Sequence, residues 1–104
     1  MAIVRYVSQQ EVDQAFEEHN VWHRIRTGQL KPVPKPATIN EQGETSQIVK
    51  YYALPEHRHL CTVHWVWART GREKHCHAKD IVLPSGEKLC LPPPRLDPRG
   101  RGIF

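Results

Sequence analysis

The sequence predicts a small α+β domain in which one N-terminal amphipathic helix packs on an antiparallel β-meander of three to five strands. Two observations favour this class: a helix-start motif followed by apolar residues at helical spacing, and later runs rich in β-branched and aromatic residues separated by turn residues. The 104 residues suffice for one hydrophobic core but not for two. We therefore expect a single domain over residues 1–104.

The start of the helix is indicated by Ser8-Gln9-Gln10-Glu11, which matches the S-x-x-E capping box. Apolar and aromatic side chains then recur every three or four residues, at Val12, Ala15, Phe16, His19, Trp22 and Ile25. Gly28 suits the left-handed position just past a helix end. The pattern predicts one helix from about residue 9 to residue 27, preceded by a short strand over residues 2–7.

Four later segments have strand composition: residues 48–54, 59–68, 73–83 and 87–91. Before them, residues 31–36 alternate proline with other residues, which favours extended polyproline-like chain. We predict that residues 31–46 form a stiff proline-rich linker and a polar loop. Residues 92–94 are all proline and end the sheet, and residues 95–104 are expected to form an irregular basic tail.

Charge and composition limit which cellular environment and which binding partners are expected. The formal net charge is +4, which favours a polyanion such as nucleic acid, or an acidic protein, as partner. The acidic residues of positions 9–18 place an acidic face on the helix. No apolar run reaches the ~20 residues of a membrane helix and the start lacks a signal-peptide pattern, so we expect a cytoplasmic protein without membrane association. Three cysteines without a C-x-x-C pair indicate reduced thiols.

Histidine and cysteine are concentrated in two neighbouring strand segments, residues 56–67 and 74–77. If residues 70 and 71 form a two-residue hairpin loop, His64 faces His77 and Val66 faces His75. His64, His75 and His77 then share one sheet face, while Trp65–Cys76 and Val63–Ala78 pair on the other. A loop one residue longer would reverse this arrangement.

This cluster admits three interpretations. Imidazole and thiolate are zinc ligands, which makes the metal candidates His57, His59, Cys61, His64, His75 and His77, although the usual zinc-site spacings are missing. Alternatively, His64, His75 and His77 act as general acid and base on a phosphodiester, because imidazole titrates near neutrality. The third interpretation is a set of solvated polar side chains without a site. Apart from zinc, no cofactor is predicted.

A tryptophan pair adds a further candidate surface. Trp65 and Trp67 point the same way on a strand and could stack on bases, or they could belong to the core. The basic residues that would accompany a base-stacking platform are Arg58, Arg69, Arg72 and Lys74.

The function predicted first is a small, basic, non-catalytic binding domain for nucleic acid or for another protein. One alternative is a ribonuclease, because the order of strand, acidic helix and basic meander is similar to that of small ribonuclease toxins of toxin–antitoxin pairs, although no motif matches. Another alternative is a zinc-binding domain. An uncovered sheet edge also predicts a homodimer.

Overall fold

The computed structural model describes residues 3–92, which form a mixed seven-stranded sheet with two helices. In chain order the elements are β1 (Val4–Tyr6), α1 (Gln9–Glu18), α2 (Val21–Arg26), β2 (Leu30–Pro34), β3 (Thr38–Ile39), β4 (Thr45–Ala53), β5 (Arg58–Trp67), β6 (Glu73–Val82) and β7 (Lys88–Cys90). The strand order is β1-β7-β6-β5-β4-β2, and β3 pairs with β4 beside this path. The predicted α+β class is confirmed, and the expected antiparallel meander is β4 to β7.

The predicted start of the first helix is confirmed. The Ser8 hydroxyl oxygen accepts a hydrogen bond from the Glu11 backbone N–H at 3.2 Å, as the capping box requires. Val12, Ala15 and Phe16 are buried on the face that the apolar spacing predicts.

The prediction of a single helix over residues 9–27 was wrong, because the helix breaks at His19 and Asn20. Asn20 has φ 53°, a left-handed conformation that asparagine tolerates better than most residues. Nine residues are about two and a half turns of α-helix, so an unbroken helix would turn Val21 away from the face that carries Val12. The break re-orients α2, and both valines are fully buried.

The range predicted as a proline-rich linker and a polar loop, residues 31–46, contributes two strands to the sheet, β2 and β3, and the polar loop lies between β3 and β4. β2 contains Pro32 and Pro34, and it pairs antiparallel with β4 at one edge. Proline has no backbone N–H, so an edge strand is the place in a sheet where it is tolerated. The polar loop that follows β3 is held by the Asn40 side-chain oxygen, which accepts from the backbone N–H groups of Gln42 and Glu44.

The first strand lies at the other edge of the sheet and pairs in the parallel sense. β1 pairs in parallel with β7, with Val4 opposite Lys88 and Tyr6 opposite Cys90. The chain crosses the sheet through the two helices and returns as β2 at the far edge, so the meander ends beside β1. The β2 edge carries prolines, whereas Val4 and Tyr6 are exposed on β1. The homodimer through a sheet edge stays a prediction, and β1 is the edge suited to it.

The core lies between the helices and one face of the central strands. It is built from Phe16 and its α1 neighbours, and on the sheet side from Val49, Tyr51, Cys61, Val63, Trp65, Ala78 and Ile81. The helices cover this face only, and α1 packs on β6. The predicted basic tail, residues 95–104, lies outside the described residues. Within residues 3–92, neither helix has the length and apolar character needed to cross a membrane.

Replacing Phe16 by alanine tests this core. Phe16 is fully buried, and its truncation should lower the free energy of unfolding by about 3–5 kcal/mol because it removes apolar contacts and leaves a cavity. Ile39→Ala is the matched control, since Ile39 is 72% exposed and its truncation should cost less than about 0.5 kcal/mol. Urea denaturation followed by tryptophan fluorescence measures both changes, and equal losses would contradict the packing.

Candidate functional site

The site depends on the register of the β5–β6 hairpin, and the four predicted pairs are all present. His64 is opposite His77, Val66 opposite His75, Trp65 opposite Cys76, and Val63 opposite Ala78.

The two-residue hairpin loop at residues 70 and 71, from which these pairs were predicted, was nevertheless wrong. Ala68 and Arg72 close a three-residue loop through the Ala68 N–H to Arg72 C=O bond of 2.7 Å, with Gly71 at φ 90°. Such a loop would reverse the facing of β6, but Glu73 and His75 face consecutive residues of β5, so Lys74 is an extra residue in a β-bulge. The bulge adds one residue and restores the predicted facing.

The imidazole face, defined here by His64, His75 and His77, is the sheet face opposite the helices. Its residues alternate with the buried Val63, Trp65 and Ala78. The ring centroids of His64 and His77 are 6.0 Å apart, and those of His75 and His77 are 4.7 Å apart. The structure therefore brings the three catalytic candidates together.

His64 differs from its two neighbours in burial and in bonding. It is partly buried, whereas His75 and His77 are exposed. The Ser46 hydroxyl is hydrogen-bonded to Nε2 of His64. Burial lowers the pKa of His64 below its ordinary value, and the nearby charges of Lys79, His77 and His75 lower it further. The neutral form of the His64 imidazole is therefore favoured.

A groove of about 410 Å³ adjoins this face, between β3, the loop after it, and strands β5 and β6. His64, His75 and Ser46 line one side, and Asn40 and Glu44 line another. Glu44 forms an ion pair with the bulge residue Lys74, and this pair lowers the pKa of the Glu44 carboxyl.

The tryptophan pair lies on the other side of the sheet. Trp65 and Trp67 do point the same way, with ring centroids 6.2 Å apart and nearly parallel planes. Trp65 is buried in the core, where its Nε1–H donates to the Tyr51 hydroxyl at 3.0 Å and the Arg26 guanidinium covers its ring at 5.6 Å. Trp65 therefore has the core role, whereas Trp67 is only partly buried.

The basic candidates do not make one patch. Arg58 begins β5, whereas Arg69 and Arg72 lie in the hairpin loop beyond the end of that strand. A ten-residue strand places these two ends about 30 Å apart. Lys74 is held by Glu44.

The proposed zinc ligands are likewise separated. His57 stacks on Tyr52 with ring centroids 4.5 Å apart, at the far end of β5 from the imidazole face. Cys61 lies in the core, where burial raises the pKa of its thiol to about 12 and keeps it protonated. Within residues 3–92 no group of three or more His, Cys, Asp or Glu side chains is placed to hold a metal ion. The geometry does not support a zinc site.

Sequence reasoning missed a buried polar cluster around Asp80. One Asp80 carboxylate oxygen, Oδ1, is buried without a hydrogen-bond partner in the described part of the chain, 3.8 Å from Nε2 of His59. The other oxygen is 3.9 Å from Nζ of Lys88. Simple alternation would place Asp80 with the core, but a second bulge at Lys79 makes Asp80 face Thr62 on the imidazole side. Nothing in the residue pattern marks that bulge.

Comparisons of the chain with protein-family models, with curated proteins and with solved structures found no match.

The lowered pKa of His64 predicts how stability depends on pH. The unfolded chain, with a histidine pKa near 6.5, binds a proton before the folded one does. The contribution of His64 is thus complete above about pH 6.5 and is lost as the pH falls toward the lower folded pKa. His64→Gln should make the free energy of unfolding fall less between about pH 7.5 and 5.5 than it does in the native protein.

Urea denaturation at several pH values measures this slope. His23→Gln is the control, since His23 is an exposed histidine of α2, on the helix side of the sheet. An unchanged slope in His64→Gln would show that this imidazole does not carry the dependence.

Proposed function

We propose that the chain is a nucleic-acid-binding domain whose imidazole face contacts the phosphate backbone. One observation carries the proposal: His64, His75 and His77 gather on the helix-free face of the sheet, close to Lys79. Imidazolium and ammonium groups attract phosphates, and the open face leaves room for an extended strand.

The distribution of charge between the two sides of the sheet supports this orientation. Glu11, Asp13, Glu17 and Glu18 are exposed on α1, on the opposite side of the sheet from the imidazoles. A polyanion is repelled by that helix and is attracted to the histidines and lysines of the other face. Lys50 adds a positive charge to the same face, since it lies opposite Thr62 and its charge lowers the pKa of His59.

The chemistry of imidazole separates this interface from one built on arginine. Lysine and arginine are charged at all physiological pH values, whereas histidines become charged as the pH falls below about 6.5. Nucleic-acid affinity should therefore rise on acidification, in addition to falling with salt.

Fluorescence anisotropy with labelled single-stranded RNA and DNA tests the proposal. The native protein should bind more tightly at pH 6 than at pH 8, a window that spans the ordinary imidazole pKa of about 6.5, and binding should weaken with added salt. The double variant His75→Gln, His77→Gln should lose about tenfold in affinity at the lower pH and little at the higher one. Both side chains are exposed, so the variant should keep its fold.

His23→Gln is the control for a histidine outside the imidazole face. Absence of binding even at low salt would exclude the nucleic-acid proposal. Equal binding of polyglutamate would favour the acidic-protein partner instead.

A second candidate function, cleavage of RNA, is favoured by the His64–His77 pair. Two imidazoles on facing residues, with ring centroids 6.0 Å apart, can flank one phosphate. Neutral His64 would remove the proton of the ribose 2′-hydroxyl as its oxygen attacks phosphorus. Protonated His77 would donate its proton to the 5′-oxygen as the P–O5′ bond breaks, which yields a 2′,3′-cyclic phosphate. Ser46 fixes the orientation of the His64 ring.

Cleavage of labelled RNA tests this candidate. His64→Ala and His77→Ala should each lower the rate by about 10²–10⁴-fold, as expected for loss of a general base or acid. A substrate with a 2′-deoxyribose at the scissile position should not be cleaved, and His23→Ala should cleave at the native rate. Unchanged rates in the first two variants would remove these residues from any catalytic role.

A further inference from the structure

A second concave site lies away from the imidazole face, where the α1–α2 junction meets the ends of β4, β5 and β6. We call it the two-arginine pocket. Arg24 of α2, Arg58 of β5 and His19 at the end of α1 supply its polar wall. Ala53, Leu60 and Ile81 supply an apolar floor.

The two arginines of this pocket have no carboxylate partner among the described residues. The ion pairs of residues 3–92 involve other cations, such as Arg5 with Glu87 and Arg26 with Glu73. No Asp or Glu lines the pocket. Arg24 is half-buried and its charge lowers the pKa of the buried Cys61 thiol, against the larger effect of burial, so its guanidinium lies close to the core. Half-buried Arg24 and exposed Arg58 thus line a site to which the described residues contribute no carboxylate.

The backbone beside the pocket contains two non-glycine residues with positive φ. Asn20 follows His19 and has φ 53°, and His57 precedes Arg58 and has φ 58°. Both are left-handed conformations of non-glycine residues, which cost free energy and persist where surrounding structure enforces them. Each of the two positions directly adjoins a residue of the pocket wall, His19 and Arg58 respectively.

The size and lining define the ligand. The volume is about 110 Å³, well below the ~300–1,000 Å³ of pockets for drug-sized molecules. The guanidinium fork matches a carboxylate through two parallel hydrogen bonds, and the floor of Leu60 and Ile81 suits a short hydrocarbon body better than a fully hydrated anion.

We propose that the two-arginine pocket binds a small carboxylate with a short apolar body, held by Arg24 and Arg58 and seated on Leu60 and Ile81. The carboxylate can belong to a free acid or to the C-terminus of a peptide. This inference does not depend on nucleic-acid binding, since the pocket and the imidazole face share no residue.

Titration of the ¹⁵N-labelled full chain, followed by amide NMR shifts, tests the proposal. Butyrate should give saturable shifts at Ala53, Leu60 and Ile81 with a Kd of about 1 mM or tighter. Butyramide, which has the same shape without the charge, should give none. Arg24→Gln and Arg58→Gln should each weaken butyrate binding about tenfold, as expected for loss of a charge-assisted hydrogen bond.

Arg69→Gln in the distant hairpin loop is the matched control and should bind butyrate like the native chain. A dipeptide with a free carboxyl end and its amidated form distinguish the two sources, since only the free form should bind if the ligand is a peptide terminus. Shifts that do not saturate, equal binding of butyramide, equally tight binding of inorganic phosphate, or native affinity in both arginine variants would each overturn the proposal.

Discussion

The pairing of β5 with β6 is the constraint on which both sides of the molecule depend. Side chains alternate along a strand, so a shift of one residue would exchange the buried Trp65 and Ala78 with the exposed histidines. The three-residue loop around Gly71 would impose that shift, and the bulge at Lys74 cancels it. Lys74 is also held to Glu44 of the β3–β4 loop, so the hairpin end and the groove beside the imidazole face are fixed together.

Much of the fold was predictable because its determinants are local. The capping box at Ser8 and the strand composition of the later segments fixed the start of α1 and the existence of β4 to β7. The determinants that were missed are tertiary. The break at Asn20 is favourable because it buries Val21, and the strand role of Pro32 and Pro34 depends on an edge position beside β4. The parallel placement of β1 depends on where the meander ends, which no local pattern encodes.

The candidate site was predictable to the same extent and for a similar reason. The facing of His64 and His77 followed from counting residues across a hairpin, and it holds because two deviations from the simple hairpin compensate. No compensation occurs at Asp80, where the single bulge at Lys79 places a carboxylate on the side that simple counting assigns to the core. The two-arginine pocket could not be predicted from the sequence. Arg24 and Arg58 are far apart in sequence, and they line one pocket only when the helix break and the sheet are both in place.

The two sides of the sheet offer their ligands different kinds of charge. The imidazole face is open, and imidazole is a side-chain group whose charge can change within the physiological pH range, so the attraction of this face for a polyanion can change with pH. The two-arginine pocket is small and its guanidinium groups stay charged at every physiological pH, so its attraction for an anion is constant. Asp80 lies on the imidazole side, opposite Thr62, and its buried Oδ1 lacks a hydrogen bond in the described part of the chain. Nε2 of His59, 3.8 Å away, is hydrogen-bonded instead to the Thr62 hydroxyl at 3.1 Å, and burial lowers the pKa of His59. Asp80 faces Thr62, and Thr62 is two residues from His64 on the same strand face, so the polar cluster and the imidazole face are neighbours on one side of the sheet. This side therefore carries two ionisable groupings next to each other, the three histidines and the cluster of His59, Asp80 and Lys88.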